Sequence, residues 1–110
     1  MNISRSINGN TAIINLAGQF TFFDDRKFLD MAREVLHQNP YTLAINVSNL
    51  PHMNSTLIAN FLTIFQLASV NETEFLIYGM NQNVLSILEK VFLNGTVPLL
   101  TEDEFSKKYL

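Results

Sequence analysis

A chain of 110 residues, 47% of them apolar and with a net charge of −3, is long enough for one packed domain and too short for two. Its seven Lys and Arg form no basic run, which argues against nucleic-acid recognition through phosphates. It has no cysteine, which excludes disulfides, thiol catalysis and thiolate metal sites.

Met1 to Ser6 reach a Gly-containing turn before any long apolar run, so no secretory signal is expected and a cytoplasmic setting is. Asn8-Gly9-Asn10 separates two segments of strand character, Ile3–Ile7 and Thr11–Ala17, and Asn-Gly accepts the positive φ of a tight hairpin. Gly18 ends the second strand. Gln19 to Phe23 then lead into a helix predicted to start near Asp24 or Asp25, where a carboxylate complements the positive helix end. Phe28, Leu29, Ala32, Val35 and Leu36 recur at helical spacing opposite Arg26, Asp30, Arg33 and Glu34, giving one buried face. Asn39-Pro40 stops this helix, because proline disfavours helical backbone in the residue before it.

Tyr41–Val47 reads as an interior strand. Ser48 to Asn54 form a loop, and a very apolar helix follows from Ser55 to about Ser69. Glu74–Tyr78 is a strand closed by Gly79, and Asn83–Phe92 is a helix with Val84, Leu85, Leu88, Val91 and Phe92 inward and an Asn94-Gly95 stop. Val97–Leu100 is a short last strand. Thr101 and Glu104 have capping-box spacing and open a final helix to Tyr109. The order ββαβαβαβα predicts a single α/β domain over residues 1–110, with a mixed, largely parallel sheet of about five strands and four helices.

Catalytic chemistry is sparse. The four glycines are isolated, so there is no phosphate-binding loop, and His37 and His52 lack partner ligands at metal-binding spacing. Asp24-Asp25 and Glu102-Asp103-Glu104 stand at predicted helix starts, where capping accounts for them. Ser55 has His52 three residues before it but no orienting third group and no oxyanion-hole signature. Neither an enzyme nor a bound cofactor or metal is expected. The most apolar stretch, Leu57 to Ala68, falls well short of the roughly 20 residues needed to cross a bilayer, so direct membrane insertion is not expected either. Apolar side chains occupy nearly its whole circumference, wider than a surface helix buries. Two outcomes are open: cover by sheet and neighbouring helices on all sides, or a partly exposed face that serves as a partner site.

The run from Ala44 to Leu57, Ala-Ile-Asn-Val-Ser-Asn-Leu-Pro-His-Met-Asn-Ser-Thr-Leu, resembles the central segment of STAS domains, the bacterial anti-sigma factor antagonist family. There a strand ending Asp-Leu-Ser is followed by a short loop and by Asp-Ser-Ser-Gly or Asp-Ser-Ser-Ala opening a helix. Gly18-Gln19-Phe20-Thr21-Phe22 resembles the Gly-Arg-Phe-Asp-Phe element of that family, and Asn83 to Glu89 its Asn-Pro-x-Val-x-x-Ile-Leu-Glu helix. Nearly the whole chain is covered.

The resemblance implies a STAS-like fold and a bacterial regulator that works by partner switching. The first serine of the motif, Ser55 here, would be phosphorylated by an anti-sigma factor with a serine kinase domain and released by a metal-dependent serine phosphatase, with Thr56 as a lesser acceptor. The implied partner surface is Leu50, His52, Met53, Asn54, Ser55, Thr56, Leu57 and Ile58, with Phe20 and Phe22 beside it. The chain departs from the pattern at Asn54 and Asn46, where the family has Asp, at Thr56, where it has Ser, and at Leu57, where it has a small residue. Ser55 has a second reading, as the helix N-cap, worth about 1 kcal/mol. Two other roles stay open: an unphosphorylated accessory subunit of a membrane transporter, such as a lipid ABC system, and a small-ligand sensor with a pocket among Phe20, Phe22 and Phe23.

Overall fold

Asn8 pairs with Thr11, so the first hairpin turns on Gly9-Asn10, one residue later than Asn-Gly chemistry predicts. Gly9 takes a φ of 60° and Asn10 keeps a negative one, the pattern of a turn with glycine at its first central position. The computed structural model describes residues 1–110 except for the side chain of Asn94, and the Asn94 part of the expected helix stop lies outside the described residues. Its strands are β1 (Asn2–Asn8), β2 (Thr11–Ala17), β3 (Thr42–Asn49), β4 (Glu74–Tyr78) and β5 (Leu99–Leu100). Its helices are α1 (Asp25–His37), α2 (Ser55–Val70), α3 (Gln82–Val91) and α4 (Glu102–Tyr109), with 3-10 turns at Phe22–Asp24 and Leu93–Gly95.

The strands lie in the order β1-β2-β3-β4-β5. The first pair is antiparallel and the other three are parallel, as expected for a hairpin followed by crossovers. Alternation sorts the side chains between two faces. Ile14, Leu16, Leu43, Ile45, Val47, Phe75 and Ile77 face α1, α2 and α3, which bury Phe28, Ala32, Leu57, Phe61, Ile64, Ala68, Val84 and Leu88 against them. Ile13, Ala44, Leu76 and Tyr78 face the other way, under Phe105 of α4.

Several boundaries move for identifiable reasons. Strand β3 runs two residues beyond Val47, because Asn49 pairs with Ala17 across a register shift. Helix α3 starts at Gln82 because the Asn81 side chain caps it, and it ends at Val91 with Phe92 at the cap position. The last strand shrinks to two residues. Pro98, just before it, has no N–H to donate and offers only its carbonyl, to Ile77 N–H at 3.1 Å. The Thr101–Glu104 capping box forms as expected. No helix among the described residues is long and apolar enough to cross a membrane.

Helix α4 is held by aromatic stacking. The Tyr78 and Phe105 rings stack with centroids 3.8 Å apart, and Tyr109 stacks on Phe105 at 5.1 Å. The Tyr109 hydroxyl donates to Glu74 at 2.7 Å. Burial, with the Glu74 hydrogen bond and charge added, pushes the Tyr109 phenol up to about 12. A phenol whose folded pKa lies above its unfolded value of about 10 contributes stability that is complete below pH 10 and lost as pH rises towards 12. Denaturation midpoints measured from pH 8 to 12 are therefore expected to fall above pH 10. Tyr109→Phe should flatten that fall without abolishing it, since burial also raises the Tyr78 phenol.

Candidate functional site

The carboxyl ends of β2, β3 and β4 lead, through three connections, into α1, α2 and α3. The connection from β3 to α2 carries the Ser55 motif, and it is fastened on both sides. Asn54 is extended (φ −126°, ψ 169°), and its Oδ1 accepts from Leu57 N–H at 2.9 Å. Asn54 is therefore the N-cap of α2. This corrects the reading of Ser55 as the cap: serine and asparagine cap about equally well, but the asparagine amide also carries an NH2 donor on a separate atom, free to reach a second partner while the oxygen caps. That donor, Nδ2, bonds the Phe20 carbonyl at 2.7 Å, in the connection before α1.

Asn81 repeats the device on the other side. Its Oδ1 caps α3 through Val84 N–H at 2.9 Å, while Nδ2 donates to the carbonyls of Leu50 (3.3 Å) and Pro51 (3.1 Å). Gly79, just before it, has a φ of 85°, and a Cβ there would lie 3.0 Å from the Ser48 Cβ and 3.1 Å from the Ser48 nitrogen. Only glycine lets β4 leave the sheet this close to the end of β3.

Of the expected partner residues, His52, Asn54 and Ser55 are exposed and Met53, Thr56 and Ile58 half-buried. Phe22 is 71% exposed and its neighbour Phe23 85%, their ring centroids 4.9 Å apart. Three of the expected residues are corrected. Leu50, Leu57 and Phe20 are 2% exposed or less, so their side chains serve the core and not a partner. Phe20 meets Phe28 edge-on at 6.0 Å, and Phe28 meets Phe61 at 5.9 Å. With Phe20 sealed inside and Phe22 and Phe23 outside, the three rings enclose no common pocket, which removes the basis for a ligand sensor there.

The wide apolar circumference of α2 resolves into buried Leu57, Phe61, Ile64 and Ala68 and an outer stripe of Ser55, Ala59, Leu62, Gln66 and Val70. From Leu50 to Val70 the sequence holds no Asp, Glu, Lys or Arg. The nearby carboxylates lie at the start of α1. Asp24 accepts from Thr21 N–H at 2.7 Å, which above all holds its carboxyl below the usual range, helped by the Thr21 hydroxyl and the Met1 ammonium 3.6 Å away.

Sequence reasoning missed two residues. Asn81 is one; an asparagine directly before a helical apolar pattern was the available signal. The other is Asn60, 2% exposed in the middle of α2. Its Nδ2 donates to the Asp25 carboxylate and to the Thr56 carbonyl (2.8 Å), while its Oδ1 is buried without a partner among the described residues. Asn46, at the position of the family's strand-terminal Asp, points to the opposite face of the sheet. There it accepts from Ser48 N–H at 3.0 Å and donates to Asn15 at 2.9 Å.

An antiparallel hairpin extended by parallel strands, with three helices on one face of the sheet and a fourth on the other, is the architecture of a STAS domain. The STAS domain family model matches residues 2–104, and the chain belongs to that family. Solved structures agree in fold. An anti-sigma factor antagonist from Mycobacterium paratuberculosis superimposes with a TM-score of 0.82 at 13% identity, covering 98% of this chain and 92% of that one. A putative anti-sigma factor antagonist from Thermotoga maritima gives 0.79 at 14% identity, covering 97% and 93%. The Bacillus cell fate determinant SpoIIAA, in its phosphorylated form, gives 0.76 at 14% identity, covering 97% and 98%. No curated protein sequence matches the chain.

Proposed function

We propose that the chain is an anti-sigma factor antagonist-like regulator that binds an anti-sigma factor with serine kinase activity in the bacterial cytoplasm and is controlled by reversible phosphorylation of Ser55, with a metal-dependent serine phosphatase resetting it. The observation that carries this reading is the position of Ser55. It is exposed at the first position of α2, and Asn54 does the capping, so its hydroxyl is left available. Thr56, one residue further on, is half-buried and less accessible. That a family member of the same fold, SpoIIAA, exists in a phosphorylated form supports the same chemistry here.

The surroundings make a phosphate an effective switch. A phosphoserine carries roughly −1.5 to −2 charges, which the free N–H groups and dipole of a helix N-terminus tolerate. The Leu50–Val70 segment around Ser55 holds no Asp, Glu, Lys or Arg, so nothing in it would neutralise that charge, which would have to be desolvated when a partner binds. The unmodified protein binds and the modified one lets go.

Incubation with a cognate anti-sigma kinase and ATP, followed by mass spectrometry, is expected to place one phosphate on Ser55 and none in Ser55→Ala. Partner affinity in Ser55→Asp should fall by at least about tenfold, the equivalent of 1.4 kcal/mol. An unmodified Ser55, together with an affinity indifferent to both substitutions, would refute the reading. The accessory-subunit reading draws on one observation, the loss of the motif's acid at Asn54 and its replacement by an amide fixed in two hydrogen bonds. Co-purification with transporter subunits in place of a kinase would favour it.

A further inference from the structure

The turn that carries the exposed Phe22–Phe23 pair is attached to α2 at both of its ends. At the start, Asn54 Nδ2 holds the Phe20 carbonyl; at the finish, Asn60 Nδ2 holds the Asp25 carboxylate. The two donors come from the N-cap and the second turn of α2, on either side of Ser55. We propose that Asn54 and Asn60 form a two-point clamp that couples the modification state of Ser55 to the turn 20–25, and so to the position of Phe22 and Phe23. The proposal rests on Ser55 being the residue modified.

The coupling works through competition for one N–H group. Asn54 Oδ1 occupies Leu57 N–H, in the first turn of α2. A phosphate on Ser55 seeks those same first-turn N–H groups and outbids a neutral amide oxygen for them, since hydrogen bonds to an ionised acceptor are roughly twice as strong. Once its Oδ1 is displaced, the Asn54 side chain is no longer fixed and its Nδ2 bond to Phe20 weakens. At the other end Asn60 Nδ2, shared between the Asp25 carboxylate and the Thr56 carbonyl, is left as the only one of the two clamp points still closed. Losing the Asn54 point frees the start of the turn. Within the turn Thr21 and Asp24 bond each other, but of its aromatic side chains Phe20 alone is anchored in the core, while Phe22 and Phe23 are largely exposed.

The test uses the full chain with phosphoserine installed at position 55 during translation, so no kinase is needed. The readout is amide hydrogen exchange over residues 20–25. The amides of Thr21, Asp24 and Asp25 report directly, because each is hydrogen-bonded within this turn. Exchange there is expected to quicken about three- to tenfold, the worth of one net hydrogen bond. Asn54→Ala should quicken it similarly, and phosphoserine should add little in that background. Phosphoserine at Ser69, near the far end of the same helix, should leave the turn unchanged. Should Asn54→Ala fail to fold, Asn60→Ala opens the other end of the clamp and serves in its place. Unaltered exchange over 20–25 with phosphoserine at 55, or an equal change from position 69, overturns the coupling. Either result leaves the kinase and mass-spectrometric test of Ser55 standing.

Discussion

Phe61→Ala is expected to cost about 3–5 kcal/mol, the range for removing a fully buried aromatic ring. Phe61 is wholly buried, at the centre of α2, and its ring meets Phe28 edge-on at 5.9 Å, while Phe28 meets Phe20 at 6.0 Å. The three rings link the connection before α1, α1 itself and α2. Truncating the last ring leaves a cavity under the helix that presents Ser55 and removes the edge-to-face contact as well. Against a total stability of roughly 5–15 kcal/mol, such a loss is a large fraction, and urea denaturation should show a much lower midpoint with an unchanged slope. Leu62→Ala, on the outer stripe and 41% exposed, is the control and should stay within about 1 kcal/mol of the parent. Equal midpoints for Phe61→Ala and the parent would mean that α2 is not seated on α1 as described.

The contrast between those two leucine- and phenylalanine-bearing faces marks where the sequence was informative. The α1 pattern of Phe28, Ala32, Val35 and Leu36 at helical spacing predicted its buried face, because a single apolar stripe has only one way to face a core. In α2 apolar residues lie all round, so periodicity could not say which would be covered; that was decided by the sheet, α1 and α3 arriving from distant parts of the chain. The same limit explains the site. The Ser55 motif was legible as a local string, but proximity in that string suggested that Leu50 and Leu57 face a partner, whereas the turn of the backbone sends both into the core. The cap assigned to Ser55 belongs to Asn54 because the asparagine has a second partner, Phe20, that lies 34 residues earlier. Asn60 and the tethering half of Asn81, though not its cap, stayed hidden for the same reason, their amides reaching Asp25 and the Leu50 and Pro51 carbonyls 30 to 35 residues away.

Asn54→Asp, which restores the acid of the family motif, is expected to destabilise this chain by about 1–2 kcal/mol near neutral pH. Two effects oppose each other. A carboxylate still caps Leu57 N–H and gains from the helix dipole, typically about 0.3–1 kcal/mol. It has no proton to give the Phe20 carbonyl, however, so the 2.7 Å hydrogen bond becomes a contact between two acceptors, and a part-buried carbonyl is left unpaired at a cost of about 1–3 kcal/mol. The second effect is the larger, and the net sign is destabilising. A protonated carboxyl regains a donor, so the gap between Asn54→Asp and the parent should narrow as pH falls through about 4, the ordinary range of an aspartate. Asn54→Ala, which can neither cap nor donate at any pH, should show no such narrowing. Denaturation midpoints of the three proteins between pH 3 and 7 separate these outcomes. If Asn54→Asp matched the parent at neutral pH, the bond to Phe20 would carry no energy, and the departure from the family motif would need another physical cause. If it is destabilised as expected, this chain has exchanged the charge beside its serine for a tether between α2 and the aromatic turn.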